Sequence, residues 1–307
     1  MSRVSPLLEH EIAQQQALLR VTAIVVSYNS AHCIPALAHG LAALPHIIVV
    51  DNGSTDSSLA TVRQHLPQAQ CLELGRNLGF GAANNRGWQA ANTEFVLLVN
   101  PDCVLDTQSI AALVAQADTW PDAALVAPQL LNRHAHPEIN YRWTSTAWIS
   151  RGPGADAPAC VGFVCGACML IRREAMARIG GFDEDFFLYY EDDDLCLRLN
   201  RDAGALLLDP RIQVRHFSRG SVGGARPQAA EYLRGYHHIQ SKFHFRLKHF
   251  GQPPTCLQRL GYIFGSGLET LLRLLLLDTR RAARSAGRCV GAIRYRARQL
   301  SNKGALK

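Results

Sequence analysis

The sequence predicts an α/β fold in which a mainly parallel sheet is flanked by helices and followed by a helical C-terminal extension. Three observations carry this. Short apolar runs alternate with stretches long enough for crossover helices, and each run closes in small polar residues. The composition, with 48% apolar and 19% charged residues in 307, is that of a globular chain and excludes disorder, collagen and coiled coil.

Val21–Ser27 is the first apolar run and closes in Tyr28-Asn29-Ser30. Residues 46–50 form the second, closing in Asp51-Asn52-Gly53-Ser54-Thr55-Asp56. A weaker run covers 71–74, and Phe95–Val99 closes in Asn100-Pro101-Asp102. Between them, residues 31–44, 57–66 and 81–91 read as crossover helices. Ligands of such sheets bind beyond the carboxyl ends of the strands, where the polar clusters fall. Further on, 107–117 predicts a helix and 124–127 a strand, and the Pro/His/Trp-rich stretch 128–158 suits an extended loop over a site. Residues 169–172 predict a strand, 191–203 a helix ended by Gly204, and 205–208 and 212–214 two short strands leading to His216. The remainder reads as helical. The expected organisation is an N-terminal extension (1–20), an α/β domain (21–228) and a helical extension (229–307).

Charge is unevenly placed. Residues 279–307 hold nine Lys/Arg and no carboxylate, whereas the rest of the chain holds 23 basic against 25 acidic residues. This describes a slightly acidic body with a basic appendage. Nine cysteines in a chain large enough to bury a core fit a reducing, cytoplasmic setting. The first twenty residues lack a secretory pattern, and the most apolar stretch, 260–277, is interrupted by Glu269 and Arg273, which argues against a membrane span.

Several clusters have the residue types that chemistry needs, each beside a plainer reading. Asp51 can accept from a pyrimidine N–H or a ribose hydroxyl, with Thr55 or Asp56 capping the next helix; an ordinary strand-to-helix turn is the alternative. Gly79, Gly81 and Gly87 sit where a helix should start, so something must approach that backbone closely, yet the spacing fails the dinucleotide fingerprint. Arg76 beside them could reach a base or phosphate, or simply be solvated. Asp102 offers an oxygen ligand for Mg²⁺ or Mn²⁺ completed by substrate phosphates, unless it only ends a turn. Carboxylates crowd at 183–185 and 191–194 around five aromatic or leucine residues. Crowding raises carboxylate pKa values, as a general base requires, while acids opening a helix also complement its dipole. His216 could join Asp102 on a metal, and Arg219 or Ser221 could hold a phosphate. Cys165-x-x-Cys168 lacks the second Cys/His pair that a zinc site needs.

Taken in order, Val26-Ser27-Tyr28-Asn29-Ser30, the 51–56 cluster, Arg76-x-x-x-Gly79-x-Gly81, Asn100-Pro101-Asp102, the 166–172 strand, the acids of 183–185 and 191–194, and His216 resemble family 2 glycosyltransferases, in particular the bacterial rhamnosyltransferase-like branch. The resemblance runs from about residue 21 to about residue 221. It implies a GT-A-type fold, a nucleoside-diphosphate sugar donor, a divalent cation (Mg²⁺ or Mn²⁺) and inversion at the anomeric carbon. Ser27, Tyr28, Asn29, Asp51, Asn52, Arg76, Asn77, Gly79, Asn84 and Asn100 would then bind the nucleotide sugar, and Asp102 with His216 would hold the metal. Asp192 would deprotonate the acceptor, supported by Asp194, with Gly166, Ala167, Cys168 and Glu191 on the acceptor side. The family's metal motif is often Asp-x-Asp; Asn100 replaces its first aspartate, so the ion should be held more weakly without substrate. This Asn-Pro-Asp form occurs in the rhamnosyltransferase-like branch and favours a deoxysugar.

Leu260, Phe264, Leu268, Leu271 and Leu275 make one apolar stripe ahead of the basic residues. This reads as an anchor on an anionic membrane surface, on the cytoplasmic face of the inner membrane and suited to a saccharide or lipid-linked acceptor. A helix packed on protein with a solvated tail is the alternative. A basic-tailed binding module is the competing class, but the tail has few aromatics and no nucleic-acid partner is expected. A metal-dependent nucleotide-sugar hydrolase is the competing enzyme.

Overall fold

The computed structural model describes residues 6–144, 153–218 and 227–297. The chain forms two compact units, Met1–Asp183 with Leu195–Gly223, and Glu184–Asp194 with Gly224–Lys307.

The first unit opens with α1 (Pro6–Leu19), a helix with no counterpart among the sequence expectations. The predicted alternation follows: β1 (Val21–Ser27), α2 (Ile34–Leu41), β2 (His46–Asp51), α3 (Ser58–His65), β3 (Gln70–Glu73), α4 (Phe80–Ala90) and β4 (Phe95–Val99). Strands β3, β2, β1 and β4 lie side by side in that order, all parallel. Every residue of β1 and β4 is buried, which is why both read as unbroken apolar runs. Their side chains alternate between two cores. Ala23, Val25 and Leu97 meet Leu37 and Leu41 of α2, whereas Ile24, Val26 and Leu98 belong with Phe182 and Leu195.

The rest of the sheet is mixed. It contains β5 (Cys103–Val104), β6 (Ala123–Leu131), β8 (Ala159–Val161), β10 (Cys168–Arg172) and β11 (Ala205–His216), with α5 (Thr107–Thr119), α6 (Arg173–Ile179) and α7 (Glu191–Asp202) between them. Two further strands, β7 (Tyr141–Arg142) and β9 (Phe163–Val164), pair separately. β10 runs antiparallel to both β4 and β6, since no crossover helix separates it from β6. β6 extends to Leu131, so the expected loop at 128–158 begins later; residues 145–152 lie outside the described residues. The two short strands expected at 205–208 and 212–214 are one strand whose register against β6 shifts between Asp209 and Gln213. Pro210 cannot donate to the ladder, and the Asp209 carboxylate accepts the Arg211 N–H at 3.0 Å.

The close approach expected at the glycines of α4 is present at Gly81 and Gly87. A Cβ on Gly81 would lie 3.0 Å from the Phe182 side chain, and one on Gly87 would strike Ile24. The close approach is made by the protein's own core, Phe182 at Gly81 and Ile24 of β1 at Gly87.

In the second unit, α8 (Pro227–Phe250), α9 (Cys256–Leu275) and α10 (Thr279–Arg294) follow one another. Gly235 of α8 meets the Arg284 backbone and Gly287 of α10 meets the Tyr232 backbone, so these helices pack at glycine contacts. Much of the basic stretch is thus helical rather than a solvated tail; residues 298–307 lie outside the described residues. Thr255 and Gln258 form a capping box that starts α9, which then runs through Gly261, Gly265 and Gly267. No helix among the described residues is long and apolar enough to cross a membrane. Among the described residues no cysteine is joined in a disulfide.

Candidate active site

The four parallel strands end in the loops singled out from the sequence, and hydrogen bonds tie these loops together at one edge of the sheet. The Asn29 N–H donates to Ser54 Oγ at 3.0 Å, and Asn29 Oδ1 accepts the Thr55 N–H at 2.8 Å. Asn29 takes φ 52°, a left-handed value that asparagine tolerates. Gly53 takes φ +78°, and a Cβ there would lie 2.7 Å from the Arg76 backbone, so this turn and the loop after β3 fit only with glycine. Asn52 completes the tie, accepting from the Leu78 N–H at 2.8 Å and donating to Asn77 Oδ1 at 3.1 Å and to the Gly79 carbonyl at 3.2 Å. Asn52, Asn77 and Gly79 therefore build the loop pair. Asn84 donates to the Phe80 carbonyl inside α4, and Arg76 is exposed. Asp56 accepts the Ser58 N–H at 3.0 Å at the start of α3.

Asp51 stands apart. It is buried, its Oδ2 accepts the Ser54 N–H at 3.1 Å, and its Oδ1 makes no hydrogen bond among the described residues. Ser27 Oγ, one strand away and paired in register with Asp51, is likewise buried without a hydrogen bond. Buried polar atoms are nearly always satisfied, so these two at neighbouring strand ends are candidates for hydrogen bonds to a ligand. Tyr28 follows Ser27, half-buried.

Asn100-Pro101-Asp102 ends β4, with the Asn100 N–H donating to the Ala167 carbonyl at 2.8 Å. Residues of β5 then pair antiparallel with β11, matching Cys103 with His216. This pairing sets His216 Nε2 3.6 Å from Asp102 Oδ1. Asp102, Cys103 and His216 thus present three ligand atoms within 4.8 Å of one another. Burial pushes the Cys103 thiol well up, and it contacts the Ala167 carbonyl at 3.3 Å, which leaves a carboxylate and an imidazole as the usable donors. That oxygen and nitrogen pair fits Mg²⁺ or Mn²⁺ with substrate oxygens completing the shell. Gly166, Ala167 and Cys168 are buried where β10 begins, and burial raises the Cys168 thiol to about 12, opposite to what a zinc thiolate requires. Arg219 and Ser221 lie outside the described residues.

The acids of α7 belong to the second unit, and sequence reasoning missed what holds them. Asp194 is fully buried, and its Oδ1 meets Lys248 Nζ at 2.6 Å and His249 Nε2 at 2.7 Å, both from the last turn of α8. No local signal links positions 55 residues apart, although a Lys-His pair ending a helix is a possible charge partner for an acidic cluster. The preceding turn is strained: Tyr189 and Tyr190 both take φ 67°. It is held by His238, 5.5 Å from the Tyr189 ring and 5.6 Å from that of Tyr190, and by Ser241 Oγ donating to the Leu188 carbonyl at 3.0 Å. Asp192, half-buried, accepts the Asp193 N–H at 3.0 Å through Oδ1.

Burial, reinforced by the charges of Asp192 and Asp193, pushes the Glu191 carboxyl well above the ordinary 4.5. The folded chain therefore keeps a proton that the unfolded chain releases, so this group's contribution to stability is lost as pH rises from about 4.5 toward the raised value. Glu191→Gln, which mimics the protonated side chain, is expected to gain stability relative to the parent as pH climbs through that window. Urea unfolding at several pH values measures it, and parallel curves would show that Glu191 is ionised in the fold.

These features, a parallel β3-β2-β1-β4 edge with polar loops and an Asp–His pair beyond the end of β4, are those of a GT-A-type fold. The family model described as Glycosyl transferase family 2 matches residues 22–180, so this chain belongs to that family and is a glycosyltransferase. Among its relatives is an N-acetylglucosaminyl-diphospho-decaprenol L-rhamnosyltransferase from Mycobacterium tuberculosis, 30% identical over 224 residues that cover 62% of this chain and 71% of the relative. Another is the rhamnosyltransferase WbbL of Escherichia coli, 23% identical, with 64% and 82% covered. Similar solved structures include the mannosyltransferase PcManGT from Pyrobaculum calidifontis in complex with GDP-Man and Mn²⁺ (TM-score 0.55, 20% identity, 91% of this chain and 81% of that one). The S. aureus TarS 1-349 structure gives a TM-score of 0.54 at 18% identity, with 89% and 90% covered.

Proposed function

We propose that the chain transfers a sugar, a deoxyhexose such as rhamnose, from a nucleoside-diphosphate donor to a hydroxyl of a saccharide or lipid-linked acceptor in cell-surface polysaccharide biosynthesis, with inversion. The observation that carries this reading is the pair of buried oxygens without partners among the described residues, Asp51 Oδ1 and Ser27 Oγ, at the ends of β2 and β1, with the Asp102–His216 pair beyond the end of the next strand, β4. Two relatives named as rhamnosyltransferases, one with a diphospho-decaprenol acceptor in its name, support the sugar and the lipid-linked acceptor. Asp51 takes N–H or O–H donors of the base or ribose, Ser27, Tyr28 and Asn29 line that pocket, and Arg76 assists. Asp102 and His216 hold a divalent cation, as the Mn²⁺ in the PcManGT complex suggests; when bound it offsets charge on the departing diphosphate. Asp192 removes the acceptor proton on the face opposite the leaving group, and in-line displacement inverts the anomeric carbon. Gly166, Ala167, Cys168 and Glu191 shape the acceptor side, and Asp194 supports the base. The setting proposed is the cytoplasmic face of the inner membrane, with the protein held peripherally.

The test is a panel of nucleoside-diphosphate sugars with Mg²⁺ or Mn²⁺. The cognate donor is expected to raise Tm by about 5 °C at saturation, and Asp51→Ala to erase most of that rise. A donor consumed without any acceptor would favour the hydrolase.

A further inference from the structure

Helix α9 is inverted relative to an ordinary surface helix. Its polar side faces the protein: Ser266 is buried, Tyr262 OH accepts from Lys242 Nζ at 2.6 Å, and Arg259 donates to the Ala292 and Ile293 carbonyls at 3.0 Å. Its apolar side faces outward, with Leu257 at 80%, Phe264 at 71%, Leu268 at 60% and Leu275 at 80% exposure, continuing into Leu276 and Leu277 beyond its end. Folding of this unit leaves a continuous apolar row about 30 Å long in water, far more than scattered surface leucines would make.

The charges around that row select its occupant. Residues 256–297 hold eight arginines and two carboxylates, Glu269 and Asp278, both paired with arginines of the same two helices. Exposed Arg280 and Arg281 stand where α9 passes to α10, and exposed Arg294 and Arg296 stand at the other end, beside Arg259. A second copy laid on this face, parallel or antiparallel, would bring guanidinium groups against guanidinium groups at both ends. A sheet of negative charge over an apolar interior is complementary to the whole arrangement.

We propose that α9 lies flat on an anionic bilayer, with Phe264, Leu268, Leu271 and Leu275 in the acyl boundary and Arg280 and Arg281 on lipid phosphates. This deepens the reading above, on which the acceptor is membrane-borne, by naming the docking face.

The experiment is sedimentation of the full chain with vesicles of phosphatidylcholine alone and of equimolar phosphatidylcholine and phosphatidylglycerol, with no acceptor present. Binding is expected to the anionic vesicles, weakened about thirtyfold by the Arg280→Gln/Arg281→Gln pair and a hundredfold or more by Phe264→Ser/Leu268→Ser/Leu275→Ser. The mutated positions are exposed, and unchanged thermal unfolding of each variant confirms the fold. Equal binding by all three proteins overturns the proposal. So does a parent that ignores vesicles and elutes as a dimer which the triple variant dissociates. Transfer to a water-soluble acceptor, assayed without vesicles, should be the same in all three. If it is absent throughout while vesicle binding follows the expected order, the functional reading fails and the docking face stands.

Discussion

Asp192→Asn is expected to lower kcat for sugar transfer by about 10²–10⁴-fold while leaving nucleotide affinity within the error of the parent. The substitution is nearly isosteric, and the amide oxygen can still accept the Asp193 N–H that Asp192 Oδ1 now takes at 3.0 Å, so the first turn of α7 is preserved. What disappears is the capacity to hold a proton taken from the acceptor hydroxyl. Steady-state transfer together with nucleotide titration separates the two effects, and undiminished turnover would move the base to another member of the cluster.

Lys248→Met is expected to destabilise the protein by about 3–5 kcal/mol. Asp194 is 0% exposed and Lys248 8%, so the loss removes one cation from a carboxylate that water cannot reach. His249 stays 2.7 Å from the same oxygen, but the 2.6 Å contact with the ammonium group is lost. Pairing the change with Asp194→Asn should return much of the loss, because the charge that Lys248 balances is then gone. Urea denaturation of the single and double variants measures both; a loss below about 1 kcal/mol would mean that the pair is solvated in solution.

The extent to which the sequence disclosed this structure follows from how local each cause is. Buried parallel strands leave apolar runs, unbroken in β1 and β4 and preceded by exposed His46 in β2, so all three and their polar ends were legible. The single strand β11 was not, since Asp209 and Pro210 interrupt its pattern where the register shifts. The glycines of α4 were visible, but the side chains they accommodate, Phe182 and Ile24, come from distant positions. For the same reason the acids of α7 were evident as a cluster, whereas Lys248 and His249 were read only as part of a helix. The outward apolar stripe of α9 was periodic in the sequence; which side it shows could only come from three dimensions.

The two left-handed tyrosines have a bearing on how such enzymes are compared. Residues 189 and 190 hold an unfavourable backbone because His238 and Ser241 of α8 brace them. The match to the family model stops at residue 180, ahead of both the brace and what it braces. Chimeras that exchange everything after that point between relatives would therefore transplant the strained turn along with the helix that braces it. Those that cut at the start of α8 would separate the two and leave the turn to relax.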